Sequence, residues 1–442
     1  MNQTNDALQP GWKESTGWAF CLLAGYAALA LLPLLLAYLL NPPVEGEFLE
    51  EVAKGAGMLG FSLLTLQVVL SARFRWVDPP FGHDVIMRFH KGMAILALCL
   101  LVAHPLLLAL EGEVRLFTVD TYWAVNLGKA TLVLLLLVVF FALCFQKLGI
   151  EYQIWRYAHK GATAVIVLGF IHSYWIGPDI RPLGMQVYWW ILLGTVALIF
   201  LYRNVYVPLW GRRRFRVVSV HRETHDTYTV AMEPEDGRPI PHRPGQFMFL
   251  RLYRPDRGGE EHPFTISSSP TTELPLTATI KESGDFTNTI GQTREGDTAG
   301  IEAPYGRFSF LHQDPESFLF IAGGVGITPV LSMLRYLRDT GDERPACLIY
   351  GNKTEGDVIR REELESMPSN VQVHHVLSKP ADDWEGARGY VTREAIEKFA
   401  ADFLPEADVY LCGPPPMMDM VVRALRDLGV EERRMHFERF AL

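Results

Sequence analysis

One stretch, Arg88–Leu110 (RFHKGMAILALCLLVAHPLLLAL), constrains the fold of this chain more than any other. From Gly92 to Leu110 it holds no Asp, Glu, Lys or Arg, and with its flanks it is long enough to span a bilayer. It carries His90 and His104, fourteen positions apart. Fourteen residues are close to four helical turns, so both imidazoles fall on one face, about 21 Å apart along the axis. A second apolar stretch, Tyr157–Ile176, carries His159 and His172, thirteen apart. In an ideal helix that spacing leaves the two rings about 140° out of line. Either a local irregularity is expected, with Gly161 or Gly169 as the candidate positions, or the two ligands must approach at different angles. A single intramembrane histidine commonly just bonds a neighbouring helix. Two pairs in near register are a different case, because burying four imidazoles in hydrocarbon is costly without a function. The pattern points to two stacked haem groups, each held by one imidazole from each helix.

Six apolar spans can be drawn: Trp18–Leu40, Gly55–Ala72, Gly92–Leu110, Ala130–Phe145, Gly161–Ile176 and Val187–Tyr202. The fourth, fifth and sixth are short and need flanking residues to cross. The first lacks the basic flank and small-residue cleavage site of a removed signal peptide. An even number of spans puts both termini on one side. Arg73, Arg75, Arg88 and Lys91 follow span two, Lys147, Arg156 and Lys160 follow span four, and Arg212, Arg213, Arg214 and Arg216 follow span six. The opposite loops carry Glu45, Glu47, Glu50, Glu51, Glu111, Glu113 and Asp120. By the positive-inside rule the termini are cytoplasmic. Spans three and five then run in the same direction, so His90 pairs with His159 near the inner surface and His104 with His172 near the outer one. With both axial positions filled, direct binding of a substrate to iron is disfavoured.

The net charge of −9 argues against nucleic-acid binding. Five cysteines (Cys21, Cys99, Cys144, Cys347, Cys412) form no CxxC pair and no disulfide framework.

After the RRRFR run the pattern changes. Phe215–Val220, Thr227–Glu233, Gln246–Leu250, Pro263–Ser267, Leu276–Lys281 and Thr298–Glu302 read as short strands separated by turn residues, which predicts a β-barrel or sandwich. From Ser317 the pattern becomes strand, helix, strand. The buried strand Ser317–Ala322 feeds Gly323-Gly324-Val325-Gly326-Ile327-Thr328-Pro329, with Thr328 as expected N-cap and Pro329 as first helical residue. Strands at Cys347–Tyr350, Gln372–Leu377 and Val409–Cys412 complete a doubly wound α/β unit. The glycines let backbone approach a diphosphate at a helix N-terminus, although tight strand-to-helix turns also use glycine for steric reasons alone.

In chain order the second half carries His262-Pro263-Phe264-Thr265-Ile266-Ser267, Thr279-Ile280-Lys281, Gly284-Asp285-Phe286-Thr287, the GGVGITP segment, Cys412-Gly413-Pro414-Pro415-Pro416-Met417 and Phe437-Glu438-Arg439-Phe440. This series resembles the ferredoxin-NADP reductase superfamily. With the histidine pairs ahead of it, nearly the whole chain resembles the NADPH oxidase and ferric reductase family of bacterial-type plasma membranes.

The resemblance implies a short cytoplasmic tail (1–17), a six-helix transmembrane haem-binding bundle (18–210), a β-barrel FAD domain (213–312) and an α/β NAD(P)H domain (315–442). It implies that Thr265 bonds the flavin near its reactive nitrogen and that Phe264 packs by the ring, with His262 where soluble reductases usually have Arg. Gly284–Thr287 would hold the FAD pyrophosphate, with Lys281 nearby. Phe440 would cover the flavin face, and Cys412 would lie near the nicotinamide. Electrons would then run from NAD(P)H through FAD and the two haems to O2 outside, or to a ferric or cupric chelate, with no obligatory protein subunit.

Some family features are missing. Eukaryotic oxidases carry a further histidine one turn past the outer ligand, where this chain has Leu108, and no arginine precedes Arg73 in spans one or two. Calcium-binding loops are also absent, so constitutive activity is expected. A third reading, a transporter or sensor whose histidines relay protons, predicts no haem. An acidic residue for the adenosine ribose is not evident after Tyr350, whereas Lys353, Arg360 and Arg361 could meet a 2′-phosphate. NADPH is therefore favoured, with dual use expected.

Overall fold

The computed structural model describes residues 15–41, 48–112, 118–119, 122–145, 147–254, 257–271, 274–313 and 315–439. The chain divides into two compact units, residues 13–209 and residues 1–12 with 210–442.

The first unit is helical. Its described helices of eight residues or more are α1 (Thr16–Leu40), α2 (Phe48–Ser71), α3 (His83–Leu110), α4 (Trp123–Cys144), α5 (Tyr152–Lys160), α6 (Ala162–Ile176) and α7 (Leu183–Leu201). Among the described residues five helices are long and apolar enough to cross a membrane: α1 to α4, and Leu183–Gly211, in which α7 continues as a π-helical segment. The expected fifth span is instead two helices, α5 and α6, meeting at Gly161. There the Gly161 N–H bonds the Ala158 carbonyl at 2.9 Å, and the Ala164 N–H bonds the Gly161 carbonyl at 3.0 Å. These are i to i−3 turns, which wind tighter than an α-helix by about 20° per residue. Three or four such residues recover about 60–80°, roughly half of the 140° by which a thirteen-residue spacing misses alignment.

The core of this unit is aromatic and aliphatic. Trp189, fully buried, stacks on Phe61 at 5.6 Å and donates from its indole N–H to the Ser173 hydroxyl at 2.8 Å. The buried indole N–H of Trp189 thus finds its partner within the bundle, as hydrocarbon demands.

The second unit begins with β1 (Arg213–Thr224), β2 (Thr227–Pro234), β3 (Phe247–Arg254), β4 (Arg257–Thr265), β5 (Leu276–Lys281) and β6 (Thr298–Tyr305). They form one antiparallel sheet in the order β4-β3-β6-β1-β2-β5. The expected closed barrel is not formed as a continuous ladder. The end strands β4 and β5 share none, and just past β4 the Ser267 N–H bonds the Thr277 carbonyl at 2.9 Å.

Next come β7 (Phe318–Gly323), α8 (Ile327–Thr340), β8 (Ala346–Asn352), β9 (Val371–Leu377), β10 (Ala387–Arg388), β11 (Asp408–Cys412), α9 (Pro415–Asp427) and β12 (Met435–Glu438). The strands form an all-parallel sheet in the order β10-β9-β8-β7-β11-β12. Every residue of β7 is buried, as its unbroken apolar run requires when helices cover both faces. The chain order reverses beside β7, so the loop after β7 opens at the point where such sheets bind ligands.

Candidate functional site

In the helical unit the four histidines meet two by two. The rings of His90 and His159 have centroids 6.2 Å apart, and those of His104 and His172 are 6.5 Å apart. A metal–imidazole nitrogen bond is about 2.0–2.1 Å, and the nitrogen lies about 1.1 Å from its ring centre, so one metal between two imidazoles holds the centroids about 6.3 Å apart. Among the described residues no group of three or more His, Cys, Asp or Glu gathers to hold a metal ion. Two facing imidazoles alone do not complete a protein metal site. They do complete the coordination of a metal whose other ligands come from a macrocycle. The residues present therefore fit a haem at each level, with His90 and His159 holding one and His104 and His172 the other.

The outer rings are also oriented. His104 Nδ1 donates to the Ala53 carbonyl at 2.8 Å, and His172 Nδ1 donates to the Ala124 carbonyl at 2.7 Å. A proton fixed on Nδ1 leaves Nε2 as the free lone pair, the state a metal ligand needs. At the inner pair the Nδ1 atoms of His90 and His159 are buried without a hydrogen bond.

In the second unit the sequence motifs converge on a cleft of about 970 Å³. Its walls include Lys281 of β5, Gly323, Gly324 and Val325 after β7, Asn352 and Lys353 at the end of β8, Ser378, Tyr390, Arg393, and Pro414, Met417 and Arg423 of the β11–α9 segment. The Asn352 side-chain amide, buried beside the Tyr350 hydroxyl, keeps hydrogen-bonding capacity suited to a ligand.

Glycine is required where the two loops touch. A Cβ at Gly326 would stand 2.4 Å from the Cys412 carbonyl oxygen, and one at Gly323 would stand 2.4 Å from the Met417 sulfur. Gly413 packs on the Gly323 backbone in turn. The expected cap is different. Gly326 is the N-cap of α8, and Thr328 sits inside the helix with its hydroxyl donating to the Val325 carbonyl at 3.1 Å. That hydroxyl faces a carbonyl rather than an N–H, so the first N–H groups of α8 have no side-chain cap. Ile327, Thr328 and Pro329 are buried behind the cleft.

The flavin-side residues also assemble. His262 stacks on Phe286 with centroids 4.4 Å apart, Phe264 lies 6.3 Å from Phe286, and the Arg254 guanidinium sits over Phe286 at 5.2 Å. Thr265, at the end of β4, is buried, and Pro263 pairs with Phe249 in the ladder.

α8 ties this strand to the nucleotide side. Ser332 donates to the Ser268 carbonyl at 2.8 Å and Arg335 to the Ser267 carbonyl at 2.7 Å, while Arg335 grips Glu363 through two bonds of 2.7 and 2.6 Å. Burial pushes the Glu363 carboxyl up, but the Arg335 bonds and charge outweigh it and hold the group below its usual range.

Several expected site residues are engaged within the sheet. Ile280 belongs to the sheet core, while Thr279, on the opposite face of β5, is bonded to Thr229 at 2.8 Å and to Ser267 at 3.2 Å. The Thr287 hydroxyl occupies the Ser283 and Gly284 N–H groups at 2.9 and 3.0 Å, and Asp285 is exposed. Arg360 pairs with Glu223 at 2.8 Å, and Arg361 pairs with Glu355 and Glu365, so neither faces the cleft. Cys412 closes β11 fully buried, outside the cleft lining, and burial raises its thiol well above the usual range. Phe440 lies outside the described residues. Sequence reading missed Asn352 at the end of β8, Ser378 and Tyr390 in loops, Arg393 at a helix start and Arg423 within α9, none of which carries a motif of its own.

Residues 56–170 match the model of the ferric reductase like transmembrane component, 212–308 that of an FAD-binding domain, and 320–423 that of the oxidoreductase NAD-binding domain. The chain thus joins a ferric reductase-like transmembrane component to an FAD-binding domain and an oxidoreductase NAD-binding domain. The glycine betaine monooxygenase reductase subunit of Pseudomonas aeruginosa is 33% identical over 240 residues, which are 52% of this chain and 64% of that protein. The flavohemoprotein of Bordetella pertussis is 32% identical over 246 residues, 52% of this chain and 61% of that protein. This ferric reductase-like chain thus spans less than two thirds of these relatives. Among solved structures, the ferredoxin reductase in carbazole 1,9a-dioxygenase is 26% identical, with a TM-score of 0.46 over 52% of this chain and 69% of that one.

Proposed function

We propose that this membrane oxidoreductase carries electrons from cytoplasmic NAD(P)H through FAD and two b-type haems to O2 on the outer side of a bacterial-type plasma membrane, giving superoxide. The facing histidine pairs carry this reading, because two imidazoles at metal-bridging distance suit axial ligation at two depths. Flavin, when bound, takes two electrons from a nicotinamide and releases them singly, which matches one-electron haem acceptors.

The chain's own residues position these groups. The uncapped start of α8 and the Gly323–Gly326 turn offer backbone N–H groups to a diphosphate. Lys353, Arg393 and Arg423 line the cleft beside Asp357 and Asp427, while Lys281 is paired with Asp226 at 3.0 Å; the first three basic side chains are the groups suited to nucleotide phosphates, which supports NADPH over NADH. Thr265, Phe264, His262 and Phe286 are assigned to the flavin, and Phe440 to covering its open face. Cys412 backs the turn beneath the nicotinamide. The bilayer, NAD(P)H and O2 are then sufficient partners.

A second reading replaces O2 with a ferric or cupric chelate, and the ferric reductase match over 56–170 favours it. The deciding experiment uses purified protein in detergent, driven by NAD(P)H. Superoxide dismutase-sensitive cytochrome c reduction is expected to exceed ferric-chelate reduction. The reverse order would assign the chelate, and a preparation without a haem spectrum would reject both.

A further inference from the structure

We propose that Gly57 and Gly128 are positioning residues for the outer histidine pair, clearing the space in which His104 and His172 stand as ligands. The proposal rests on the haem reading above and deepens it. His104 donates to the Ala53 carbonyl of α2, four residues before Gly57, and His172 donates to the Ala124 carbonyl of α4, four residues before Gly128.

In an α-helix the carbonyl at position i already receives the N–H of residue i+4. Its second lone pair is the one left for an outside donor. Side chains on a helix lean toward its N-terminus, so the Cβ of residue i+4 leans over that carbonyl. An imidazole can reach the lone pair only where no Cβ stands in the way.

The contacts agree. A Cβ at Gly57 would lie 3.0 Å from His104 Nδ1 and 3.2 Å from its Cε1 and Cγ. A Cβ at Gly128 would lie 2.4 Å from His172 Cε1, 2.6 Å from Nδ1 and 2.9 Å from Nε2. The same device therefore occurs twice, on two different helices, once for each ligand of one pair. His172 could yield to a methyl only by swinging away, which breaks its carbonyl bond and turns Nε2 off the line to its partner, while His104 would have to give by a few tenths of an ångström at the cost of its bond to Ala53. Gly57 and Gly128 stand against His104 and His172 alone, so the inner level does not depend on them.

The test is haem content and the low-spin electron paramagnetic resonance spectrum of the resting, FAD-loaded protein, without turnover. Gly57→Ala and Gly128→Ala are each expected to lose about one low-spin haem per chain, or to convert it to a high-spin form, while the inner signal stays unchanged. Gly55→Ala on the same helix, where a Cβ would meet only Leu34 at 3.5 Å, is expected to keep both haems.

A second comparison separates positioning from general damage to the helix. In a His104→Ala background the imidazole is gone, so adding Gly57→Ala is expected to leave haem content as it was and to raise the melting temperature, as alanine does in an open helical position. Two unchanged low-spin signals in both glycine variants would overturn the proposal while leaving the haem reading intact. So would equal destabilisation by Gly57→Ala with and without His104. Wild-type protein holding no haem would instead reject the reading beneath it.

Discussion

At the scale of single residues, the question most open to test is which cation selects the nucleotide. Lys353 lines the cleft and is exposed, whereas Arg360 is turned to Glu223, whose side chain is only 4% exposed. Arg360 holds this pair with a backbone φ of 55°, a conformation that disfavours any residue with a Cβ. Lys353→Ala is expected to raise the KM for NADPH about 2–5-fold more than that for NADH, the size of an exposed charge contact. Arg360→Ala is expected to leave that ratio unchanged and to lower thermal stability by about 1–3 kcal/mol, because it strands a buried carboxylate. A change in selectivity with Arg360→Ala would return it to the phosphate site. The sequence alone could not separate these two residues. Both lie just after β8 and carry the same charge, and only the fold brings Glu223 across to one of them.

At the scale of elements, legibility followed the range of the forces involved. Apolar runs and their punctuation marked nearly every strand, because alternation and burial are local. The Gly161 break was also foreseeable, since a thirteen-residue spacing must be wound tighter for its histidines to align. The cap of α8 was not, because a threonine hydroxyl chooses between an N–H and a carbonyl by fractions of a turn. Nor was the tie between α8 and the end of β4 legible. Ser267 and Arg335 are 68 residues apart, and nothing local links them.

That tie carries its own prediction. Arg335→Ala removes two bonds to Glu363 and one to the Ser267 carbonyl, for an expected loss of about 2–3 kcal/mol. Flavin reduction by NAD(P)H should slow with it, as the strand bearing Thr265 loses its brace. The Glu363 carboxyl is held below its unfolded value, so its contribution is present at neutral pH and lost on acidification through the carboxylate range. The stability gap between wild type and Arg335→Ala, followed by thermal melts from pH 7 downward, should therefore narrow. A gap independent of pH would mean that Arg335 acts through packing alone.

At the scale of the whole molecule, the two-unit division separates the two halves of the proposed reaction. The cleft, its phosphate-facing turn and the flavin-side aromatics all belong to the unit 210–442, and all four histidines belong to residues 13–209. Each unit has its own hydrophobic core, so a change to a histidine should not reach the cleft through packing. His104→Ala is therefore expected to leave the rate of flavin reduction by NAD(P)H within about twofold of wild type, measured by stopped flow without oxygen. Its haem content should fall by about one per chain, since a single imidazole cannot complete that site. Reduction of the outside acceptor should drop to background, because the last carrier before it is missing. His90→Ala should stop the acceptor equally but leave the outer haem bound and unreduced, which places the interruption one step earlier. If either variant kept full acceptor reduction with its haem gone, electrons would have to leave the chain before the histidine pairs, and the two-step path through the membrane would be wrong.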